Sequence, residues 1–524
     1  MSIFTHFYAR YGLALTMVEK GVSSFESLEP NDFFTILEFS LLCFRVRPIG
    51  SWEKKEKISF EYAKLLDGNP SAGIFLSPTV ITLDKSAKKL WVKIEEFKVK
   101  LSKSTKDDFY KKESTKQSFA PTAGEYNNGK VSRQTANISF IEAVCCAIAT
   151  VTPDKPAYTH IESSGSKVTM INTTILPDLP LDELKQFITV FLRVSKFKTD
   201  LLMEGNVIKK EEKKKIIEKP GRPKINKGNF PNAPQSNSLR ALGLLGAIGE
   251  WAKESDETGL AEPVLKSLET CQIYIVSPET TKITNYNHFV VRLARDNRLN
   301  SIIDSIYHIK PFSLNPKSDM KEVGREREKV AFFASRLLHF FDEMAFKEFL
   351  AIRAEYPNQL EILFKMYFMD KKQIDPQIVA SARHLGAWLN LVAYYAAKAE
   401  VEKNKESTRW DSKKKNEKIR EYKAKILILI ESSGFSAKSA TALFAQTITI
   451  AGRLSESEAP SEAQLFMEKT MSGELELKDA QQMLMAFSRL RNKIEPKTTL
   501  LHIEEAPEDS LDGTEDFSDA QDNE

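Results

Sequence analysis

Three observations predict a mainly α-helical fold of two lobes with terminal arms. Apolar residues recur three and four positions apart over long stretches of the chain. The composition breaks at "HIKPFSLNPKSDMKEVGRERE", residues 308–328, which reads as a joint between lobes. After about residue 497 apolar periodicity stops, so a disordered tail is expected there. With 524 residues and 42% hydrophobic content, the chain has material for two or three substantial cores.

Taken in order, residues 1–50 read as helices, "NDFFTILEFSLLCFRV" most clearly. "AGIFLSPTVITLD" and "KLWVKIEEFKVKL" follow with strand-like β-branched content. Residues 102–135 are rich in Lys, Ser and Thr and read as loop. From "ISFIEAVCCAIATV" to about residue 310 the pattern reads as helical, with one break at 209–238. There Pro220, Pro223, Pro231 and Pro234 forbid a continuous helix, and nine Lys/Arg stand against three Glu between Lys209 and Lys227. Beyond the joint, "KVAFFASRLLHFFDEMAFKEFL", "QIVASARHLGAWLNLVAYYAAKAEVEKNK" and "KIREYKAKILILIESSG" are strongly helical, with Gly434 placed to end the last. "FSAKSATALFAQTITIAGRL" and "LKDAQQMLMAFSRLRN" complete the helices. The expected layout is an N-terminal arm with the first helices (1–40), an N-terminal lobe (41–310), a C-terminal lobe (311–430), C-terminal arm helices (431–496) and the tail (497–524).

Charge is divided unevenly. Ten carboxylates and no Lys or Arg lie between Glu504 and Glu524; without those ten, the formal +3 becomes +13 for the preceding body. A basic body with an acidic end suggests a polyanionic partner. Cys43, Cys145, Cys146 and Cys271 read as buried free thiols of a reducing compartment. No signal peptide and no membrane span are expected.

Catalytic and metal signatures do not appear. The seven histidines are scattered, with no HExxH and no CxxC, so neither metal nor cofactor is expected. Gly243, Gly246 and Gly249 in "GLLGAIGE" match no phosphate-binding loop and read as small residues for close helix packing. There is no GxSxG elbow. The chain is expected not to be an enzyme.

The stretch "DELKQFITVFLRVSKFK", 182–198, poses the functional question. On a helix Leu184, Phe187, Ile188, Phe191 and Val194 form one stripe, while Gln186, Thr189, Arg193 and Lys196 share another edge. That edge is either a solvated surface or the wall of a groove in which cations meet phosphates. The Lys-rich segment downstream, with Lys209, Lys210 and Lys213, would extend such a wall. "RWDSKKKNEKIREYKAK", 409–425, is also basic, but its interleaved Asp and Glu favour a solvated helix face. "GRPK" at 221–224 reads as an exposed charged loop, or as a nuclear import signal or DNA minor-groove hook.

"QFITVFLRVSK" resembles the RNA-binding helix of paramyxovirus-type nucleoproteins, where a Gln precedes a basic residue by seven positions. Gln186 and Arg193 keep that spacing, with Arg in place of the usual Lys. "ARDNRLNSIIDSIYHI" is similar to the segment before that family's second lobe, through Leu299, Ser301, Ile302, Ser305 and Ile306. "KKQIDPQIVASARHLGAW" resembles a second-lobe segment, through Lys371, Asp375, Pro376, Leu385 and Gly386. "AEYPNQLEILFKM" partly matches an aromatic-Pro motif, with Tyr356, Pro357 and Met366 but without its small residues and Gly.

The resemblance implies a negative-strand RNA virus nucleoprotein that clamps single-stranded RNA in a cleft between two lobes. It implies sequence-tolerant encapsidation, a homo-oligomeric helical filament, phosphoprotein and polymerase as partners, and residence in the virion and host cytoplasm, with the nucleus open through 209–227. Phosphate contact would fall to Arg193, Lys196, Lys209, Lys210, Lys213 and Lys371. Gln186 and Thr189 would be hydrogen-bond partners, and Tyr356 would pack the cleft or the core. A flexuous filamentous coat protein and a helical scaffold without nucleic acid are the alternatives.

Overall fold

His6 opens the first helix by accepting the Tyr8 amide, and Gly21 closes it in the left-handed conformation that a side chain resists. Between them α1 (Phe7–Lys20) is buried over most of its length. Gly12 makes this possible, because a Cβ there would overlap the Cys145 carbonyl of α4 (Phe140–Val151). Ser139 and Glu142 form a reciprocal capping box at the start of α4. In this computed structural model the described residues are 4–42, 46–49, 59–62, 85–115, 136–164, 167–203, 230, 240–277, 281–307, 335–352, 354–455 and 457–491. They are mainly helical, as the apolar periodicity predicts.

The chain divides into two compact units, Met1–Asp375 and Pro376–Glu524. In the first, α2 (Pro30–Leu42) and α3 (Lys85–Leu101) follow α1. α3 was expected to be strand-like. It is a helix because its apolar residues keep helical spacing: Trp91, Ile94, Phe97 and Leu101 are buried, whereas Val99 faces out. Short antiparallel pairs join β1 (Val46–Ile49) to β2 (Ser59–Tyr62) and β3 (Lys112–Thr115) to β4 (Ala136–Ser139).

A four-stranded antiparallel sheet, in the order β5 (Ala157–Ser164), β6 (Lys167–Asp178), β7 (Gln272–Val276), β8 (Thr281–Thr284), corrects the helical reading of 138–310. Thr and Ile dominate the strands, and their alternation outweighs the helical pattern on either side. Between β6 and β7 the chain builds α5 (Leu181–Met203), α6 (Arg240–Glu254) and α7 (Thr258–Thr270); α8 (His288–Arg295) and α9 (Leu299–Tyr307) follow. Gly249 lies against the Ala294 carbonyl and Gly246 against the Asn300 side chain, so these glycines serve close helix approach as expected. The expected joint at 308–328 lies outside the described residues. Then come α10 (Glu343–Leu350) and α11 (Leu360–Met366), which continues into a π-helical turn, Tyr367–Lys371.

The second unit is built around α12 (Pro376–Lys403), a helix of 28 residues. Against it pack α13 (Ser412–Ser436), α14 (Ala440–Ser455), α15 (Gln464–Met471) and α16 (Leu477–Ser488). Gly386 admits α16, since a Cβ there would overlap Phe487 and the Ser488 amide. Asn390 on α12 donates to the Ser488 carbonyl at 2.6 Å. Just past α16, Arg489 grips Glu431 of α13 in a two-pronged ion pair, Nε to Oε1 at 2.7 Å and Nη2 to Oε2 at 2.5 Å. α13 runs two residues beyond Gly434, whose neighbours are capped by Gln481 donating to the Gly434 and Ala437 carbonyls.

Candidate nucleic-acid interface

α5 forms as its periodicity predicts. Leu184, Phe187, Ile188, Phe191 and Val194 are all buried. Pro180 precedes the helix, and Asp182 with Glu183 occupies its positive end. On the other edge Gln186, Arg193 and Lys196 are exposed and Thr189 is half-buried. Two of the four are already engaged: Thr189 donates back to the Lys185 carbonyl at 2.9 Å, and Arg193 meets Glu257 at 2.9 Å. Lys196 acts on Asp154, whose carboxyl burial and Glu19 push up to about 6 against the pull of Lys196 and Lys155. Lys155 itself is buried and donates to the Thr150 and Thr152 carbonyls at 2.7 and 2.9 Å, closing the end of α4. Burial lowers its pKa to about 7.

Lys371 is exposed at the end of the π-helical turn; the adjacent Asp370 pairs with Arg292 of α8. Both Arg193 and Lys371 belong to the first unit. Tyr356 is wholly buried, its ring tilted against Phe349 and edge-on to Phe364 and its hydroxyl 3.2 Å from the Phe349 and Ile352 carbonyls, so it serves the core. Lys209, Lys210 and Lys213 lie outside the described residues. Among the described residues, no group of three or more His, Cys, Asp or Glu side chains is placed to hold a metal ion, and no helix is long and apolar enough to cross a membrane.

Among the described residues, a strongly basic surface lies on α13, within the segment read above as a solvated face. Eight Lys/Arg against three acids occupy 409–425. Ala424, Leu427 and Ile430 bury one side of this helix, so Lys414, Lys418, Tyr422, Lys425 and Leu429 line the opposite side at helical spacing. Lys414 stands over the Trp410 ring at 5.5 Å and Lys425 over Tyr422 at 5.2 Å. Nearer the core, Lys423 lies 5.9 Å from the ring of Tyr394 on α12, which meets Tyr395 edge-on. Glu421 is the acid within this stripe. Burial opposes its charge, but hydrogen bonds from Lys418 and Lys425, both at 2.8 Å, hold its carboxyl below the usual range. The result is aromatic rings at half exposure interleaved with cations, the arrangement that grips a single strand by its bases and phosphates. The signal in the sequence was Trp410 and Tyr422 set among lysines four apart. Its outward direction is set by the side of α13 that packs on α12.

A family model described as CRISPR-associated protein Csp2 matches residues 6–491, and the chain belongs to that family. No curated protein and no solved structure matches it. Membership overturns the nucleoprotein resemblance. With it fall genome encapsidation in a helical nucleocapsid, the phosphoprotein and polymerase partners, the filamentous coat protein, and residence in a virion or in host cytoplasm or nucleus; the setting is a prokaryotic cell. The physical reason lies in how the matching motifs arise. Residues seven apart share an edge on any helix, as Gln186 and Arg193 do. Leu299, Ile302 and Ile306 are core, and Gly386 is the seat of α16.

Proposed function

We propose that this Csp2-family chain is an RNA-binding subunit of a CRISPR-associated ribonucleoprotein, holding a single strand by phosphates and stacked bases without reading its sequence. The observation that carries this is the α13 surface, where Lys414 and Lys425 stand over Trp410 and Tyr422 along an outward stripe. Its partners in this reading are the guide RNA and the other protein subunits of the assembly. The role is binding, with no reaction of its own. Gln186, Lys196 and Lys371 are exposed and remain secondary candidates for phosphate contact, as does Arg193, which is paired with Glu257 much as Lys418 and Lys425 are with Glu421.

The test is fluorescence anisotropy with a labelled single-stranded RNA of mixed sequence, titrated at several salt concentrations. The logarithm of affinity should fall linearly with that of salt, by about 0.7 per phosphate contacted. Tyr422→Ala should weaken binding about tenfold, as loss of one stacked base does, and Lys414→Glu with Lys425→Glu should flatten the salt slope. Absence of binding at low salt, for the full chain and for one ending at Ile503, overturns the proposal.

A further inference from the structure

The same α13 surface has a second candidate occupant within the chain. The outward stripe presents Lys414, Lys418 and Lys425 together with the half-exposed Tyr422 and the exposed Leu429. The chain's own end offers the complement: ten carboxylates between Glu504 and Glu524, with Leu511 and Phe517 set among them. Cationic side chains beside apolar ones fit an acidic peptide that carries isolated apolar residues.

Chain geometry brings the two together. Arg489 is fixed on α13 by its ion pair with Glu431, so the chain leaves the second unit directly beside this helix. Twelve residues, 492–503, separate the last described residue from Glu504, a span of up to about 40 Å when extended. From Glu431 back to Lys414 the helix covers only about 26 Å. Every lysine of the stripe is therefore within reach. The family match ends at residue 491, so this acidic segment lies beyond the part of the chain that the match covers.

We propose that the acidic tail, Glu504–Glu524, docks on the outward stripe of α13 of its own chain, its carboxylates on Lys414, Lys418 and Lys425 and its apolar residues on Tyr422 and Leu429. It rests on the RNA-binding reading in one respect only: where that reading holds, the tail competes with RNA for the stripe. The docking is tested without RNA. The full chain is treated with a zero-length carboxyl-to-amine crosslinker, as an equal mixture of isotopically light and heavy protein, and crosslinked peptides are mapped by mass spectrometry. Crosslinks from tail carboxylates to Lys414, Lys418 or Lys425, within light or within heavy chains and lost in high salt, are expected. Crosslinks spread over lysines elsewhere, or formed only between light and heavy chains, overturn the proposal.

The second arm compares RNA affinity of the full chain with that of a chain ending at Ile503, which keeps every described residue. Removing a tethered competitor present at millimolar effective concentration should tighten binding about tenfold at low salt, and the difference should shrink as salt rises. Equal and measurable affinities, for an RNA whose binding Lys414→Glu with Lys425→Glu weakens, overturn the docking. Intrachain crosslinks on α13 from a protein whose shortened form binds no RNA would uphold the docking and refute the RNA-binding reading.

Discussion

Arg489→Met should destabilise the second unit far more than its place near the chain's end suggests. The Arg489 and Glu431 side chains are only 3% and 8% exposed, and both prongs of the guanidinium meet the carboxylate. Removing the arginine leaves a carboxylate in a site already withdrawn from water, with Ser488 Oγ at 3.5 Å as a weak donor. Breaking such a pair costs about 3–5 kcal/mol, because the surviving charge loses its compensation. At about 3 °C per kcal/mol for a unit of this size, the transition should fall by on the order of 10 °C. Differential scanning calorimetry of the full chain measures it. Glu431→Leu added to Arg489→Met should restore at least half of the loss, since the penalty belongs to the orphaned charge and not to the missing contact. A single-variant loss below about 1 kcal/mol, or a double variant no more stable than the single, would refute this reasoning.

Other outcomes follow from equally specific contacts. Gly12→Ala places a methyl group on the Cys145 carbonyl, which forces α1 and α4 apart; urea denaturation should show a loss of about 3 kcal/mol. Burial raises the Asp154 carboxyl to about 6, so its contribution is complete at acid pH and is lost as pH rises through 6. Asp154→Asn should therefore match the parent near pH 4 and exceed it by about 2 kcal/mol at pH 8, read from denaturation midpoints at both pH values. Arg193→Ala removes an ion pair whose side chains are 51% and 40% exposed. It should shift stability by less than about 1 kcal/mol, so any change in RNA affinity measured beside it reports on binding.

Much of the fold was legible because burial writes itself into spacing. The α5 stripe from Leu184 to Val194 and the length of α12 follow from residues three and four apart. α3 misled because Val92, Ile94 and Val99 suggested a strand while Trp91, Ile94, Phe97 and Leu101 kept the helical period. β5 and β6 were hidden by polar Thr and Ser, which supply little hydrophobic signal even where, as at Thr173 and Thr174, they are buried. The candidate site was harder, since a cationic side chain has the same spelling whether it points into water or at a ligand. On α5 the sequence could not reveal that Glu257, 64 positions away, would take Arg193. On α13 the stripe became visible only once Ala424, Leu427 and Ile430 were seen to turn inward.

The burial of Cys145 and Cys146 beneath α1 has a practical sequel. Both sulfurs are wholly covered, Cys271 is 8% exposed, and every cysteine of the chain precedes residue 376. Burial also holds the Cys145 thiol well above its ordinary pKa, so it is nearly inert while the helices stay closed. Once Cys43 is replaced by Ala, the rate at which a thiol reagent labels the protein becomes a native stopwatch for the opening of the first unit. The second unit, carrying no sulfhydryl, stays silent, so the breathing of the first unit can be timed on its own.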